Sequence, residues 1–347
     1  MRRIEILEAV RGLAALYVAI GHLVLQVLQP SQGIVRFLFQ FGQEAVIVFF
    51  LLSGFVIELS AGKRWDGWAS YLLRRAVRIY PAYLIALLCT FIAVGIFDHN
   101  WSINGVRLLG NISMLQDFAS GKPGVIVTTY KGNTALWSLA YEWWFYLLYI
   151  PFRQRPRARL EIGILSFGAA ALYLASPFGI WLYLAYFVLW WAGVALAREW
   201  RDNGTLTLRG QSLSLLSIGA VACLFFGEAL CSPRPWTMGT HPFLELRHLV
   251  FGLALIFLAV GSWRWKWHRT FGKSLAPLAS LGAISYSLYV LHMPLLILGH
   301  TSAVSVLLFR AALLIVLCLF LEKKVQPCLN QIFGTRRAAK LEEMTPA

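Results

Sequence analysis

Long apolar runs recur along the whole chain, and they constrain its fold more than any other feature. A helix of about 20 apolar residues crosses the hydrocarbon core of a bilayer, because each residue adds about 1.5 Å of rise. Ten runs approach or reach that length, and they lie at about residues 9–29, 43–60, 79–97, 135–152, 160–175, 179–197, 212–231, 246–262, 279–299 and 303–321. The sequence therefore predicts an all-α polytopic integral membrane protein, a bundle of about ten transmembrane helices.

Composition and charge argue against a soluble or nucleic-acid-binding protein. Of the 347 residues, 59% are hydrophobic and 14% are charged, whereas soluble domains average about 25% charged residues. The net charge of +15 could suggest nucleic acid, but the basic residues lie between apolar runs and not in one patch. We therefore predict membrane lipids, and no nucleic acid, among the partners. No internal repeat is evident, which argues against transporters built from inverted halves.

The basic residues are divided unequally between the two predicted sides of the membrane. Twenty-three of the 31 lysines and arginines lie at the termini and in alternate connections, whereas six lie in the other connections. Because cytoplasmic loops carry the excess of Lys and Arg, both termini are predicted to be cytoplasmic. An even number of crossings is needed to keep this asymmetry.

The segments outside the runs carry fewer signals. The longest outer connection, residues 98–134, is rich in Gly, Asn, Ser and Thr and could cover an outer cavity. We predict a transmembrane domain over residues 1–334 and a polar cytoplasmic tail over residues 335–347.

The first run is long, holds Arg11 and lacks a small-residue cleavage site, so it predicts a retained helix and not a signal peptide. The five cysteines form no C-x-x-C pair, and we predict neither a disulfide nor a metal site.

The first run, Glu8–Gln29, carries two ionisable residues on one face. Arg11 and His22 are eleven positions apart, so they lie on nearly the same face and roughly 16 Å apart along the helix axis. Ionisable residues inside a span are costly and usually face the bundle interior or a watery cavity. The pair therefore indicates a functional site. Alternatively, Arg11 reaches the lipid headgroups and His22 hydrogen-bonds a neighbouring helix.

A basic cluster precedes the third run in the segment YLLRRAVRIYPAY. Arg75 and Arg78 are three positions apart and share a helical face, with Arg74 beside them. Guanidinium groups bind phosphate bidentately, so the cluster could hold a phosphate-bearing ligand on the cytoplasmic side. The alternative is an ordinary positive-inside cluster that binds lipid headgroups.

Three further segments place polar groups inside apolar runs. Glu142 lies in WSLAYEWWFY, where it could orient a membrane histidine or form a salt bridge between helices. The segment ISYSLYVLHMP holds Ser285, Tyr286 and His292. His292 could transfer a proton, or it could make a polar contact between helices. The Ser-Gly pair in VFFLLSGF is predicted to allow close helix packing.

Taken together, these segments resemble the membrane-bound acyltransferase family 3, the bacterial O-acyltransferases that decorate surface polysaccharides and related glycans. The most specific part is EAVRGLAALYVAIGH, in which ten residues separate Arg11 from His22. VFFLLSGF, RRAVRIYPAY, WSLAYEWWFY and ISYSLYVLHMP follow in the family's order. The resemblance implies about ten spans in the bacterial cytoplasmic (inner) membrane. It also implies a cytosolic acyl-coenzyme A donor, acetyl-coenzyme A by default, and an acceptor hydroxyl reached from the far side of the membrane.

The resemblance also implies roles for individual residues. The candidates are His22, Arg11 and Glu142 for catalysis, Arg74, Arg75 and Arg78 for coenzyme A, and Ser285, Tyr286, His292 and Trp137 for the substrate. This chain departs from the family's pattern at several positions. Ile47 stands where many relatives have an acid, Trp143 and Trp144 where Glu-Gln is usual, and Leu291 and Met293 where tryptophans are common. These departures bear on the acceptor more than on the reaction.

The residues and the resemblance together predict O-acetylation of a polysaccharide, such as an exopolysaccharide repeat on a lipid carrier. His22 is predicted to act as general base on the acceptor hydroxyl, with a covalent acyl-histidine as the alternative. Arg11 would bind the donor or stabilise the oxyanion, and Glu142 would orient His22. The competing function is a transporter or flippase of an anionic glycolipid, with the same charges along its pathway. A non-catalytic receptor or scaffold would leave those charges unexplained.

Overall fold

A computed structural model describes residues 2–29, 33–63, 65–233, 236–267, 272, 274–299 and 301–333. Its helices are α1 (Arg2–His22), α2 (Ile34–Phe39), α3 (Gly42–Lys63), α4 (Trp68–Phe97), α5 (Gly105–Ile112), α6 (Trp137–Phe152), α7 (Ala158–Ala175), α8 (Gly179–Asn203), α9 (Ser212–Cys231), α10 (Phe243–Arg264), α11 (Ala279–His292), α12 (Val304–Phe320) and α13 (Gln326–Ile332). Two short strands, β1 (Gln116–Asp117) and β2 (Val127–Thr128), pair in parallel. The predicted tail lies outside the described residues, so the division into a domain and a tail stays a prediction.

In the part of the chain that the structure describes, three π-helical segments interrupt the regular helices. Leu23–Leu28 follows α1, Met293–Ile297 follows α11, and Leu321–Val325 joins α12 to α13. Such segments are rare and often mark functional sites. The first two begin directly after His22 and His292.

The fold is all-helical, as predicted, and nine helical segments within the described ranges are long and apolar enough to cross a membrane. They correspond to nine of the ten predicted runs. The run at 135–152 forms α6, whose 16 residues extend about 24 Å, less than the ~30 Å of a hydrocarbon core. The number of crossings and the side on which the termini lie stay predictions.

The connection before α6 packs into the bundle, although the sequence predicted a cover over an outer cavity. Lys122 and Asp117 form a buried ion pair, with Nζ 2.9 Å from Oδ1. The hydroxyl of Tyr141 donates to the other carboxylate oxygen at 2.6 Å, and the ammonium lies 4.0 Å from the centre of the Trp137 ring. A buried ion pair needs such additional partners to offset its desolvation. Because the connection fills this region, α6 begins inside the bundle, which accounts for its short length.

α8 is the most buried of the candidate spans, and it packs closely against α3. A Cβ atom at Gly54 would lie within 3.0 Å of the carbonyl oxygen of Trp190, and one at Gly193 would lie equally close to the carbonyl oxygen of Leu51. The close packing predicted from the Ser-Gly pair is therefore confirmed. The contact also brings α8 to Ser53, whose hydroxyl accepts a hydrogen bond from the Trp190 indole at 3.2 Å.

α1 and α11 run parallel and in contact. Gly12, at the middle of α1, packs against Leu281 near the start of α11, and His22 meets His292 at the ends of the two helices. α1 also packs against α3. Because α1 contacts both helices, its polar face meets protein on two sides.

Candidate functional site

A cavity of about 150 Å³ lies among α1, α3, α4, α6 and α11. Six of the ten predicted site residues line it: Arg11, Arg75, Arg78, Glu142, Ser285 and Tyr286. They come from four helices that are distant in sequence. A larger cavity of about 490 Å³ lies among α1, α3, α8 and α10, and no charged side chain of the described residues lines it. The smaller cavity is therefore where the charged groups converge.

Arg11 is held at the interface between α1 and α11. Its guanidinium donates to the Glu8 carboxylate at 2.6 Å, to the Ser285 hydroxyl at 2.9 Å and to the Gly282 carbonyl at 2.7 Å. These bonds fix the cation at the cavity wall. They place Arg11 about three turns from His22, so the two act at different levels of the bundle.

Arg78 is paired within the cavity wall. Its guanidinium lies 2.6 Å from the carboxylate of Glu322, and its central carbon lies 5.1 Å from the centre of the Tyr286 ring. Glu322 also accepts a hydrogen bond from Ser287 at 2.8 Å. This network ties α4 to the π-helical segment after α12.

Arg75 has a different environment. Its guanidinium lies over the rings of Tyr71 and Tyr146, at 5.6 and 5.9 Å from their centres. Its Nε is buried without a hydrogen-bond partner, and no carboxylate in the described part of the chain forms an ion pair with it. A buried polar group usually has a partner. Arg75 is therefore the cavity cation best placed to receive an anionic ligand.

Arg74 does not line the cavity, although the sequence grouped it with Arg75 and Arg78. It forms an ion pair with Asp66, at 2.7 Å, toward the surface. Neighbours in a helix point about 100° apart, so Arg74 points away from its neighbour Arg75 in the cavity.

Glu142 lines the cavity but does not contact His22. Its Oε1 accepts hydrogen bonds from the hydroxyls of Ser53, at 2.9 Å, and Tyr146. The structure therefore does not bring Glu142 to His22, the side chain that it was predicted to orient. The two lie at different levels, because Glu142 contacts α3 at Ser53 whereas His22 ends α1.

The partner of His22 is His292. Nδ1 of His22 lies 2.8 Å from Nε2 of His292, and the two ring planes are within 18° of parallel, with their centres 5.1 Å apart. Nδ1 of His292 lies 2.7 Å from the carbonyl oxygen of Tyr289. His292 is wholly buried. The predicted polar contact between helices is thus confirmed, and His292 has no face turned to the cavity that would bind a substrate.

Tyr289 separates the cavity from the histidine pair. It lines the cavity, and its ring centre lies 6.0 Å from that of His292. Its hydroxyl shares a hydrogen bond with Ser138 at 2.8 Å, and the Phe49 ring packs against it at 5.5 Å. The charged cavity and the two imidazoles are therefore one layer of side chains apart.

Trp137, predicted to bind substrate, is 5% exposed and lies outside the cavity. Its ring stacks on that of His248, with centres 6.2 Å apart, beneath the Lys122 ammonium. Its role in the structure is to pack the outer connection onto α6.

Sequence reasoning missed Glu322 and the part that Ser53 plays. Glu322 opens the charged segment EKK directly after the apolar run at 303–321, so none of the predicted runs includes it. A single acid at the end of an apolar run was a usable signal, but its partner Arg78 is 244 positions away. Within the described ranges, no group of three histidines, cysteines or carboxylates could hold a metal ion.

Comparisons with known proteins identify a family for this chain. A family profile described as an acyltransferase domain, acyltransferase 3, matches residues 4–321. The chain is similar to the acyltransferase MdmB of Streptomyces mycarofaciens, with 25% identity over 338 aligned residues that cover 86% of this chain and 80% of the relative. No solved structure matches the chain significantly. Because the family match includes all the helices that build the cavity and the histidine pair, this multi-helical membrane protein belongs to the acyltransferase family 3.

Proposed function

We propose that the protein transfers an acyl group, acetyl by default, from cytosolic acyl-coenzyme A to a hydroxyl of an extracytoplasmic or lipid-linked glycan. One observation carries the proposal: a cavity with three arginines lies one side-chain layer from a pair of hydrogen-bonded histidines. The cations suit an anionic donor, and an imidazole suits the proton transfer. Family membership supports acyl transfer as the reaction class.

Arg75 and Arg78 are the proposed contacts for the phosphates of coenzyme A. Arg78 already has Glu322 as a partner, whereas Arg75 has a buried Nε without one. A phosphate oxygen would satisfy that donor with a charge-assisted hydrogen bond. Arg11 lines the same cavity, so we assign it to donor binding and not to the oxyanion near His22.

The acyl end of the donor then extends toward Tyr289 and the histidines. His22 takes the proton of the acceptor hydroxyl as the oxygen attacks the thioester carbonyl. The carbon–sulfur bond breaks, and the sulfur of coenzyme A leaves and receives that proton. General-base help of this kind contributes typically about 10²–10⁴-fold to the rate. The thioester reaches His22 only if the Tyr289–Ser138 contact opens, because those side chains close the end of the cavity.

The test is acyl release or transfer from radiolabelled acetyl-coenzyme A by purified protein in liposomes. We expect turnover by wild type and a loss of at least about 10²-fold in His22→Ala. His99→Asn is the matched control, because His99 is an exposed histidine with a positive φ that asparagine tolerates. Substantial activity in His22→Ala would overturn the role of His22. Absence of both turnover and donor binding in folded wild type would favour the transporter, to be checked by lipid-linked glycan flux.

A further inference from the structure

We propose that His292 is a positioning residue that fixes the tautomer of His22, so that Nε2 of His22 carries the reactive lone pair. The inference rests on the proposed function, because it identifies which nitrogen of His22 acts as the base in that reaction. It assigns His292 an indirect role, away from the substrate. One chain of hydrogen bonds, from Tyr289 through His292 to His22, fixes the positions of the protons.

The first step is the tautomer of His292. Its Nδ1 lies 2.7 Å from the carbonyl oxygen of Tyr289 and 3.3 Å from that of Leu288. A carbonyl oxygen only accepts hydrogen bonds, so Nδ1 of His292 carries a proton. His292 is wholly buried, and no carboxylate of the described residues contacts it. An unpaired buried charge is very costly, so the imidazole is neutral and its Nε2 is an acceptor.

The second step passes this constraint to His22. Nε2 of His292 lies 2.8 Å from Nδ1 of His22. Since Nε2 accepts, Nδ1 of His22 must donate, and in a neutral imidazole Nε2 then holds the lone pair. Among the residues that the structure describes, Nε2 of His22 has no hydrogen-bond partner. His22 is half-buried, whereas His292 is fully enclosed. The nitrogen that holds the lone pair therefore belongs to the less buried imidazole of the two.

The third step concerns the orientation of the base during the reaction. When His22 gains a proton at Nε2, its Nδ1–H bond to His292 persists and keeps the ring in place. An aspartate plays this orienting part in serine hydrolases, where it also stabilises the imidazolium by charge. A neutral histidine can orient the His22 ring, but it supplies no negative charge to stabilise the imidazolium. Losing His292 should therefore lower kcat and leave the KM for the donor nearly unchanged, because the proposed donor contacts line the charged cavity, which His292 does not line.

Two substitutions of His292 separate positioning from packing. The amide of His292→Gln reaches the position of Nε2 and can accept from His22. The amide of His292→Asn reaches only the position of Nδ1, so it keeps the bond to Tyr289 and loses the one to His22. We expect His292→Asn to lose about 10²-fold in kcat, with the KM for acetyl-coenzyme A unchanged. We expect His292→Gln to keep at least about tenfold more of the activity than Asn. Equal losses in both variants, or a loss confined to KM, would overturn the proposal.

A spectroscopic measurement tests the tautomer without turnover. ¹⁵N spectra of histidine-labelled protein, assigned with His22→Ala, should show His22 protonated at Nδ1 in wild type. The same spectra of His292→Asn should show a mixture of tautomers. A His22 protonated at Nε2 in wild type would refute the inference even if the enzyme transfers acetyl groups. Conversely, the expected spectra in a protein without acetyl transfer would refute the proposed function and leave the tautomer assignment intact.

Discussion

Arg74 and Arg75 are adjacent in the chain but have different surroundings in the fold. Arg75 lies over two tyrosine rings in the cavity, and Arg74 pairs with Asp66 outside it. We expect Arg75→Ala to weaken donor binding, because a hydrogen bond to a charged group is worth about 1.5–3 kcal/mol, or roughly 10- to 100-fold in affinity. Equilibrium binding of labelled acetyl-coenzyme A measures this loss.

Arg74→Ala is the matched control for that experiment, since it removes the same charge from the next position. An exposed ion pair contributes at most about 1 kcal/mol, so donor affinity should hardly change. If the two variants weakened donor binding equally, the loss would come from the lower positive charge of the region and not from the position of Arg75. The cavity would then not be the donor site.

The residue pattern predicted which side chains share one face of a helix. It did not predict which side chains of other helices they contact. The three-residue spacing of Arg75 and Arg78 places both in the cavity, and the segments with Arg11, Glu142 and Ser285 also converge there. The histidine pair joins residues 270 positions apart. Such contacts depend on which helices pack together, and one sequence does not encode that in any local pattern. For this reason the sequence paired His22 with Glu142, whereas the structure pairs it with His292.

At the scale of helices, the contact between α3 and α8 holds Ser53 and Glu142 in place. Gly54 lies against backbone and not against a flexible side chain, so an added methyl group must move a helix. We expect Gly54→Ala to cost about 1–3 kcal/mol of stability, as overpacking does. Thermal unfolding in detergent should show a clear fall in Tm.

Gly227→Ala provides the control, because Gly227 is exposed on α9 and has no atom within 4 Å of an added Cβ. Alanine favours a helix over glycine by up to about 1 kcal/mol, so this variant should be neutral or slightly stabilised. Equal falls in Tm for both variants would show that the helices tolerate no added methyl group anywhere. The close packing between α3 and α8 would then not be the cause of the destabilisation.

Apolar length predicted the helices well because a span must satisfy its own backbone in lipid. It predicted the outer connection poorly. Buried Asn111, Gln116 and Asn133 occupy that connection, and polar composition alone suggests an exposed loop. Their burial depends on partners such as Thr90, 43 positions from Asn133. The start of α6 follows from this packing and could not be read from the run at 135–152.

At the scale of the whole molecule, the side on which each connection lies depends on whether α6 crosses the membrane. Although α6 is short, residues near its two ends contact different parts of the bundle. Tyr141 bonds to Asp117 in the outer connection, and Tyr149 donates to Glu58 at 2.9 Å, near the arginines at the end of α8. Those arginines belong to the excess of basic residues that predicts the cytoplasmic side. We therefore expect α6 to cross, which makes ten crossings.

Cysteine labelling with a membrane-impermeant maleimide tests this number. Cys231 is exposed at the end of α9, and Cys328 is exposed on α13. In intact cells we expect label on Cys231, and on Cys328 only after permeabilisation, because three spans separate them. A new cysteine, Ser102→Cys in a Cys231→Ser background, lies before α6 in the exposed part of the outer connection. It should react in intact cells like Cys231, because four crossings, including α6, would separate the two positions. If Ser102→Cys reacted only after permeabilisation while Cys231 reacted in intact cells, α6 would not cross, and the two termini would lie on opposite sides.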